Sequence, residues 1–465
     1  MSTAAKTVPS RLADIVGAKQ VSNDAAELLA YAVDGKVPAA AVRPGSAEEV
    51  AGVVKFAAAE KLAIIATGAR TKLGIGFPPR QYDIAVDMTR LDRVVAFDPG
   101  DLTLSIEAGI PLHRLNGVLA EHRQFLPLAV PFIRQTTAGG TLASGVDTPL
   151  RQSYGTARDY LLGLEYVNGE GMTAKSGGRV VKNVTGYDLH KLMIGSLGTL
   201  GIITRINFRT FPLPETTRGF VALFDNAERA INLRHRIAQS PLTPMTLDIL
   251  SPRVAEILTS RTAERIAPGD LDEDMLSKKR WALTAGFCGN AKILERYAAE
   301  LHNLAAECGA AHISVVPEHE VPAEFSRIRE VIPIALEFSP GATIVKASVL
   351  PMRMKEMVEA AARIADGESV PWAAVARGLG IVYFALLPAE KDGEARVRVE
   401  RASNQILATC AKLEGNAMIP WCPSEWKGTL KVWGPERADF PLMRKVKNVF
   451  DAPGILSPGR FVGGL

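Results

Sequence analysis

Three glycines at three-residue spacing form the stretch of this chain best suited to contact a ligand. They are Gly195, Gly198 and Gly201 in the sequence GSLGTLG, and a predicted strand begins after them at Ile202. A glycine has no Cβ and reaches backbone angles closed to other residues, so its main-chain N–H can approach a phosphate directly. Taken alone, the pattern fits a phosphate-binding loop and a plain glycine-rich turn equally well.

Two further stretches of small residues are typical of ligand-binding loops. The first follows a predicted strand over 62–66 and consists of Thr67, Gly68, Ala69, Arg70, Thr71 and Lys72. The second spans 136–145 and includes Thr137, Gly139, Gly140, Thr141, Ala143, Ser144 and Gly145, with Tyr154 and Gly155 shortly after it. We predict that 136–145 is also a loop, because its apolar residues lack the periodicity of a core element. None of the three stretches matches GxGxxG or GxxxxGKS/T, so they indicate a long dinucleotide lying across several loops rather than a Rossmann or P-loop site.

These loops require a scaffold, which we predict to be a first domain over residues 1–215. A capping box at Ser46 and Glu49 starts a helix before the strand 62–66. Alternating segments over 84–88 and 102–106 predict an antiparallel pair, and the Asn-Gly turn at 168–169 predicts a hairpin. The proline-rich segment 212–215 marks the end of this domain.

Beyond residue 215 the predicted element order changes to β-α-β-β-α-β over 220–316, and the same order repeats over 343–420. Two such split βαβ units side by side form one antiparallel sheet with helices on one face. We therefore predict an α+β fold with a cap domain over 216–438. A last helix over 440–450 belongs to a closing segment, 439–465, that returns to the first domain.

Length and composition exclude several classes of protein. The chain has 465 residues, 47% of them hydrophobic and 22% charged, which predicts a globular protein of two or three domains. The net charge of +4 is small and dispersed, which argues against a nucleic-acid-binding protein. No apolar run is long enough to span a membrane, and the N-terminus lacks a signal-peptide pattern, so we expect a cytoplasmic protein. The four cysteines and seven histidines are scattered, so we expect no metal site.

Five motifs together resemble a known family. They are the stretch 136–145, YGTARD over 154–159, KNVTGYD over 182–188, the stretch 195–204 and the closing stretch 451–460. They are similar to the motifs of the vanillyl-alcohol oxidase type, or PCMH-type, FAD-binding oxidoreductases. Within that family the chain is most similar to the FAD-binding accessory subunit of bacterial glycolate oxidase.

The resemblance implies a two-lobed FAD-binding domain that holds FAD, followed by an α/β cap. Residues 67–72 then wrap the pyrophosphate, residues 136–145 line pyrophosphate and isoalloxazine, and the strand entered at Gly201 and Ile202 holds the adenine side by main-chain hydrogen bonds. Ala69 and Arg70 stand where the family usually has glycines, which either crowds the phosphates or adds a charge-assisted contact from Arg70. Thr71 stands where members with covalent flavin have histidine, so we expect non-covalent FAD.

The resemblance also implies hydride transfer from an alcohol carbon to the flavin, with Lys182, Thr185 and Tyr187 as candidate catalytic residues. Lys182 and Tyr187 fit a solvated lysine and a packed tyrosine equally well. The cap lacks the His-Gly-Asp-Gly-Asn stretch with which related D-2-hydroxy-acid dehydrogenases bind a metal.

Two functions therefore stay open. The first is an FAD-dependent dehydrogenase that oxidises a small 2-hydroxy acid of the glycolate or D-lactate type. The second is a flavin-bearing, non-catalytic or electron-relay subunit of a multi-subunit oxidase. Its expected partners are a second flavoprotein and an iron–sulfur subunit. We expect the chain to associate with the inner membrane at most peripherally, through these partners.

Overall fold

The computed structural model describes residues 7–179, 187–267, 279–316, 326–435 and 437–465. Its first sheet contains the strands β1 (Val21–Ser22), β2 (Ala40–Val42), β3 (Ile64–Thr67) and β4 (Ile84–Asp87), in the order β1-β2-β4-β3. The helix Ala47–Glu60 connects β2 to β3, and the side chain of Ser46 caps it by accepting from Glu49 N. The short helix Val8–Val16 precedes β1, and the short helix Ala25–Leu29 lies between β1 and β2.

One sequence prediction about this sheet is wrong. The alternating pattern predicts antiparallel pairing of 84–88 with 102–106, but β4 runs parallel to both β2 and β3. All four residues of β4 are buried, as in a central strand covered on both faces. The alternation of residue types along such a strand does not indicate which strand it pairs with. The true partners of 103–107 are Val94–Asp98 and Ile202–Arg209, and the apolar residues of Val94–Asp98 do not alternate with polar ones, so that strand gives no signal.

The second sheet carries the glycine stretch into its central strand. The next seven strands are β5 (Val94–Asp98), β6 (Thr103–Glu107), β7 (Gln124–Phe125), β8 (Leu161–Val167), β9 (Thr173–Gly177), β10 (Ile202–Arg209) and β11 (Phe211–Pro212). Five of them form an antiparallel sheet in the order β5-β6-β10-β8-β9, and β7 pairs with β11. The predicted hairpin at Asn168 is confirmed, because Val167 pairs with Thr173. The helices of this part are Leu112–Ala120, Ala138–Ser144, Arg151–Tyr154 and Ala157–Tyr160.

The third sheet confirms the predicted repeat of β-α-β-β-α-β. Its strands are β12 (Thr216–Phe224), β13 (Thr246–Leu250), β14 (Trp281–Gly289), β15 (His312–Val316), β16 (Thr343–Ser348), β17 (Trp372–Arg377), β18 (Ile381–Leu386) and β19 (Asn416–Trp421). They form one antiparallel sheet in the order β15-β12-β14-β13-β17-β18-β16-β19. The two halves join through β13 and β17. The predicted α+β fold is therefore confirmed.

The two faces of the eight-stranded sheet are covered differently. The four long helices Ala227–Ala238, Ala291–Glu307, Met354–Gly367 and Gly393–Lys412 pack on one face, as predicted. Three shorter helices, Pro252–Leu258, Arg261–Ile266 and Val331–Phe338, pack on the other, and the sequence pattern does not predict them. Ile75 and Leu197, from the part of the chain before β12, pack on this second face as well. It is therefore the face turned towards the glycine stretch.

The end of the chain returns to the first sheets. The predicted last helix is present as Phe440–Phe450, and Leu456 then bridges to Ile64 beside β3. Lys447 is buried and donates to Asp451 and to the carbonyls of Thr199 and Leu456 at 2.8 and 2.9 Å. The domain bounds 1–215, 216–438 and 439–465 stay a prediction. Among the described residues, no helix is both long and apolar enough to cross a membrane.

Candidate functional site

A cleft of about 750 Å³ brings the three predicted stretches together. The first stretch lines it with all of its residues, Thr67, Gly68, Ala69, Arg70, Thr71 and Lys72. The second contributes Thr137, Gly139, Gly140, Ala143 and Ser144, and the third contributes Gly198, Gly201 and Ile202. Thr136, Leu197 and Arg460 also line it. Segments far apart in sequence thus share one concave surface, which is typical of a ligand site.

The first stretch presents main-chain donors that have no other partner. The N–H groups of residues 68–72 donate to no group in the described part of the chain. Arg70 has a φ of 64°, a left-handed conformation that is uncommon outside glycine. Successive N–H groups around a left-handed residue form a concavity that binds anions. This geometry suits a phosphate.

Two buried polar side-chain atoms in the cleft also lack a partner. Thr67 Oγ1 and Arg460 Nε are both shielded from solvent without a hydrogen bond. A buried polar atom without a partner is costly, so such atoms commonly mark the place of a ligand or water. Leu197 and Ser457 add left-handed backbone at 52° and 46°, and strain of this kind clusters at binding sites. The cleft therefore fits a polar, anionic ligand.

Buried cations hold the end of the first stretch in place. Arg460, which is 2% exposed, donates to the carbonyls of Leu73 and Ile75. Lys427 donates to the carbonyl of Gly74 and forms an ion pair with Asp34 at 2.7 Å. Lys427 is not predicted from the sequence, because nothing near it links it to a loop that lies more than 350 residues earlier. Arg460 ends the closing motif 451–460, which is the signal available for it.

The side chain of Arg70 is bound to the protein itself. Its guanidinium lies 3.2 Å from Asp87 Oδ2 and 4.7 Å from the centre of the Tyr31 ring. Tyr31 donates to the same carboxylate at 2.7 Å. Burial and the bond to Asp87 raise the pKa of Tyr31 to about 12, so the phenol stays protonated. Arg70 is consequently anchored at the rim, with about a third of its side chain exposed.

Lys72 is a buried ammonium inside the cleft. It donates to Thr136 Oγ1, and its Nζ lies 5.7 Å from the centre of the Phe132 ring. Desolvation lowers the pKa of Lys72 to about 7, although the carboxylate of Glu330 acts in the opposite direction. Burial lowers the pKa of Arg460 only to about 10. Lys72 thus titrates near neutral pH, while Arg460 stays charged there.

Some predicted residues lie outside the cleft lining. Thr141 is buried and donates to Thr137 O, and Gly145 packs backbone to backbone against Gly195. The stretch 136–145 is not a loop, because a helix over Ala138–Ser144 occupies most of it. Thr137 caps that helix, and Gly139 allows it to approach Ala108 more closely than a side chain permits. These contacts outweigh the low helix propensity of glycine.

The structure also separates Tyr154 and Gly155 from the cleft. Tyr154 packs its ring edge-on against Phe125 and Phe211, at centroid distances of 5.3 and 5.0 Å. Tyr187 is 90% exposed and does not line the cleft. Lys182 and Thr185 lie outside the described residues. The catalytic roles assigned to these three residues stay predictions.

Comparisons with known proteins agree with this architecture. A family model for an FAD binding domain matches residues 38–177, and a second, for the C-terminal domain of FAD linked oxidases, matches residues 213–418. The chain is an FAD-linked oxidoreductase. The relationship to p-cresol methylhydroxylase is one of fold, since the TM-score is 0.77 at 18% identity over 97% of this chain and 95% of that structure.

Relatives of this FAD-linked oxidoreductase include enzymes named for hydroxy acids. Glycolate oxidase subunit GlcD of Bacillus subtilis is 23% identical over 98% of this chain and 96% of its own length. A D-lactate dehydrogenase of Archaeoglobus fulgidus is 25% identical over 90% of both chains. Glycolate oxidase subunit GlcE of Escherichia coli is 34% identical over 35% of this chain and 47% of its own length. The protein therefore uses FAD and belongs among oxidoreductases whose relatives act on hydroxy acids.

No metal centre emerges from the described residues, in which no three His, Cys, Asp or Glu side chains form a cluster that fits a metal ion. The expected absence of a metal stays a prediction.

Proposed function

We propose that this protein oxidises a small 2-hydroxy acid, of the glycolate or D-lactate type, by hydride transfer from its alcohol carbon to non-covalent FAD. The observation that carries the proposal is the cleft, with its unpartnered N–H groups on residues 68–72. Among the described residues no cysteine or histidine lines it. By the family resemblance, Thr71 stands where members with covalent flavin have histidine. The names of the relatives support the class of substrate.

The cleft residues suggest how the cofactor is held. The N–H groups of residues 68–72, together with that of Gly198, suit the diphosphate, because backbone donors bind anions without a flexible side chain. Arg460 adds a fixed positive charge and Lys72 a titratable one. When bound, the isoalloxazine accepts the hydride. The hydroxyl proton then leaves to an acceptor, a role for which Lys182, Thr185 and Tyr187 stay the candidates.

A second function rests on the match to GlcE, which is higher in identity than that to GlcD but covers a smaller part of the chain. In this alternative the chain is a flavin-bearing subunit of a multi-subunit oxidase, with a second flavoprotein and an iron–sulfur subunit as its partners. The cleft serves both functions, so the two differ in whether the isolated chain reacts with a hydroxy acid.

The flavin site is tested by Gly198→Ala with Gly17→Ala as its matched control. Both glycines have a positive φ, 72° and 85°, so an alanine is strained at either position. A Cβ on Gly198 has Ser457 Oγ at 3.6 Å as its nearest contact, so the protein itself tolerates it. In the proposed site the added methyl group keeps the diphosphate away from the Gly198 N–H. Loss of this charge-assisted hydrogen bond, about 1.5–3 kcal/mol, lowers FAD affinity by about 10- to 100-fold. We expect this loss for Gly198→Ala and none for Gly17→Ala in FAD titrations of the apoprotein.

The reaction is tested by anaerobic mixing of the FAD-loaded protein with glycolate or D-lactate. We expect loss of the oxidised-flavin absorbance and formation of the matching 2-oxo acid. Absence of reduction by either acid, in a preparation that retains FAD, contradicts the dehydrogenase. Reduction that appears only after co-purified subunits are restored favours the second function.

A further inference from the structure

Four neighbouring strands of the eight-stranded sheet each place one ionisable side chain on the face turned towards the cleft. These are Asp248 on β13, Arg377 on β17, Tyr383 on β18 and Lys346 on β16. Side chains two residues apart share a face of a strand. Lys346 lies two residues after Ile344, and Arg377 lies two residues after Val375. Ile344 and Val375 pack in one cluster with Leu197, which lines the cleft.

The cluster is tied to the cleft through Asp147. Asp147 Oδ2 lies 3.8 Å from Arg377 Nε, and its Oδ1 lies 3.4 Å from Arg151 Nη1. Arg377 also pairs with Asp248 at 3.2 Å. Ser144 lines the cleft three residues before Asp147, so their Cα atoms are at most about 11 Å apart. The polar cluster and the flavin cleft are therefore adjacent.

Lys346 is the member of this cluster without an ionic partner. Its ammonium has no hydrogen bond or ion pair with any residue in the described part of the chain, and its Nζ lies 5.8 Å from the centre of the Tyr383 ring. Arg151 and Arg377 share the carboxylates of Asp147 and Asp248. Burial raises the pKa of Tyr383, so its phenol is neutral. Burial lowers the pKa of Lys346 and raises that of Asp248, while Asp147 and Arg377, respectively, act in the opposite direction. With these groups in their charged forms, three cations face two carboxylates, and the cluster lacks one negative charge.

We propose that Lys346, beside Tyr383, binds the carboxylate of the substrate, and that the site accepts acids with one carboxylate rather than two. This inference rests on the proposed function and deepens it. One bound carboxylate neutralises the cluster, whereas a second has no cation left to pair with among the described residues. The apolar neighbours Ile344 and Val375 leave a second charge unsolvated, which is unfavourable.

The test is calorimetric titration of the FAD-loaded protein with pyruvate and with 2-oxoglutarate, which differ by a second carboxylate. We expect the parent to bind pyruvate at least tenfold more tightly than 2-oxoglutarate. Lys346→Met weakens pyruvate binding at least about tenfold, while Lys346→Arg retains it, because a charge-assisted contact is lost only in the first. Lys412→Met, at the exposed end of an outer helix, is the matched control and binds pyruvate as the parent does.

Retained FAD affinity shows that Lys346→Met is folded, because the flavin cleft depends on the tertiary structure. In turnover with D-lactate, we expect a rise in KM that exceeds any fall in kcat. Unchanged pyruvate binding in Lys346→Met, equal affinity for the two acids, or no binding of either acid overturns the inference. If Lys346→Met abolishes pyruvate binding but no hydroxy acid reduces the parent flavin, the anion site stands and the proposed function fails. If the parent turns over a hydroxy acid but Lys346→Met binds pyruvate as the parent does, the proposed function stands and the anion site fails.

Discussion

At the scale of single residues, Lys72 places a titratable charge in the cleft that we propose binds FAD. Its folded pKa is about 7, below the ordinary value of 10.5, because burial removes the ammonium from water. The carboxylate that faces it is Glu330, which is itself paired with Arg329. Since the unfolded chain binds the proton up to a higher pH, the free energy of unfolding of the apoprotein rises from about pH 7 to about pH 10.

We predict that FAD binds the apoprotein less tightly as the pH rises above about 7. The diphosphate favours the ammonium form, so binding above this pH requires uptake of a proton. The expected loss is up to about tenfold per pH unit. FAD titrations between about pH 6 and 8.5 measure it. Lys72→Met binds FAD more weakly at low pH and shows a smaller pH dependence, while Lys19→Met, an exposed lysine, behaves as the parent. Parallel pH profiles for Lys72→Met and the parent contradict the prediction.

At the scale of elements, the loop that follows β3 depends on an ion pair from the other half of the chain. Lys427 and Asp34 have side chains that are each 1% exposed, and Ser424 donates to the same carboxylate at 2.8 Å. The Lys427 ammonium also holds the carbonyl of Gly74, next to the unpartnered N–H groups. The backbone of the loop after β3 is therefore fixed by a charge that the loop does not contain.

We predict that Lys427→Met lowers the free energy of unfolding by about 3–5 kcal/mol, because it leaves the Asp34 carboxylate buried without a partner. The double variant Asp34→Asn with Lys427→Met recovers much of this loss, since no buried charge remains. Urea unfolding of the parent, the two single variants and the double variant completes the cycle. Additive losses in the double variant argue against coupling of the pair.

At the scale of the whole molecule, the cap sheet and the flavin cleft are joined by several polar contacts. Glu330 accepts from the N–H groups of Phe132 and Ile133 at 2.7 and 3.2 Å, and Arg377 meets Asp147. The apolar cluster on the cleft-facing side of the cap sheet includes Ile75 and Leu197 from outside the cap. These contacts predict that the two parts unfold together.

The distribution of chromophores allows a direct test. All five tryptophans, at positions 281, 372, 421, 426 and 433, lie in or beside the eight-stranded sheet, whereas FAD reports on the cleft. We predict coincident thermal transitions of tryptophan emission and flavin release in the parent. Glu330→Gln weakens the connection, so flavin release occurs at a lower temperature than the tryptophan transition. Well-separated transitions in the parent show that the parts are independent.

The sequence by itself determined the α+β class, the repeated β-α-β-β-α-β order and the three stretches that line the cleft. These features follow from local periodicity and from the spacing of small residues. Both depend only on residues that are close together in sequence. The helix Phe440–Phe450 and the hairpin at Asn168 follow from signals of the same kind. The glycine stretch indicated a ligand only together with the other two stretches, because alone it fits a plain glycine-rich turn equally well.

Only the tertiary structure decided which distant residues complete the site. The parallel pairing of β4, the helix over Ala138–Ser144 and the packing of Tyr154 depend on partners that local patterns do not name. Lys427 and Arg460 reach the loop before Ile75 across more than 350 residues of sequence. That Lys346 has no ionic partner in the described part of the chain is likewise a property of four strands assembled side by side. The charge balance of a cluster and the hydrogen-bond donors without a partner arise only once the chain has folded, so the sequence alone does not show them.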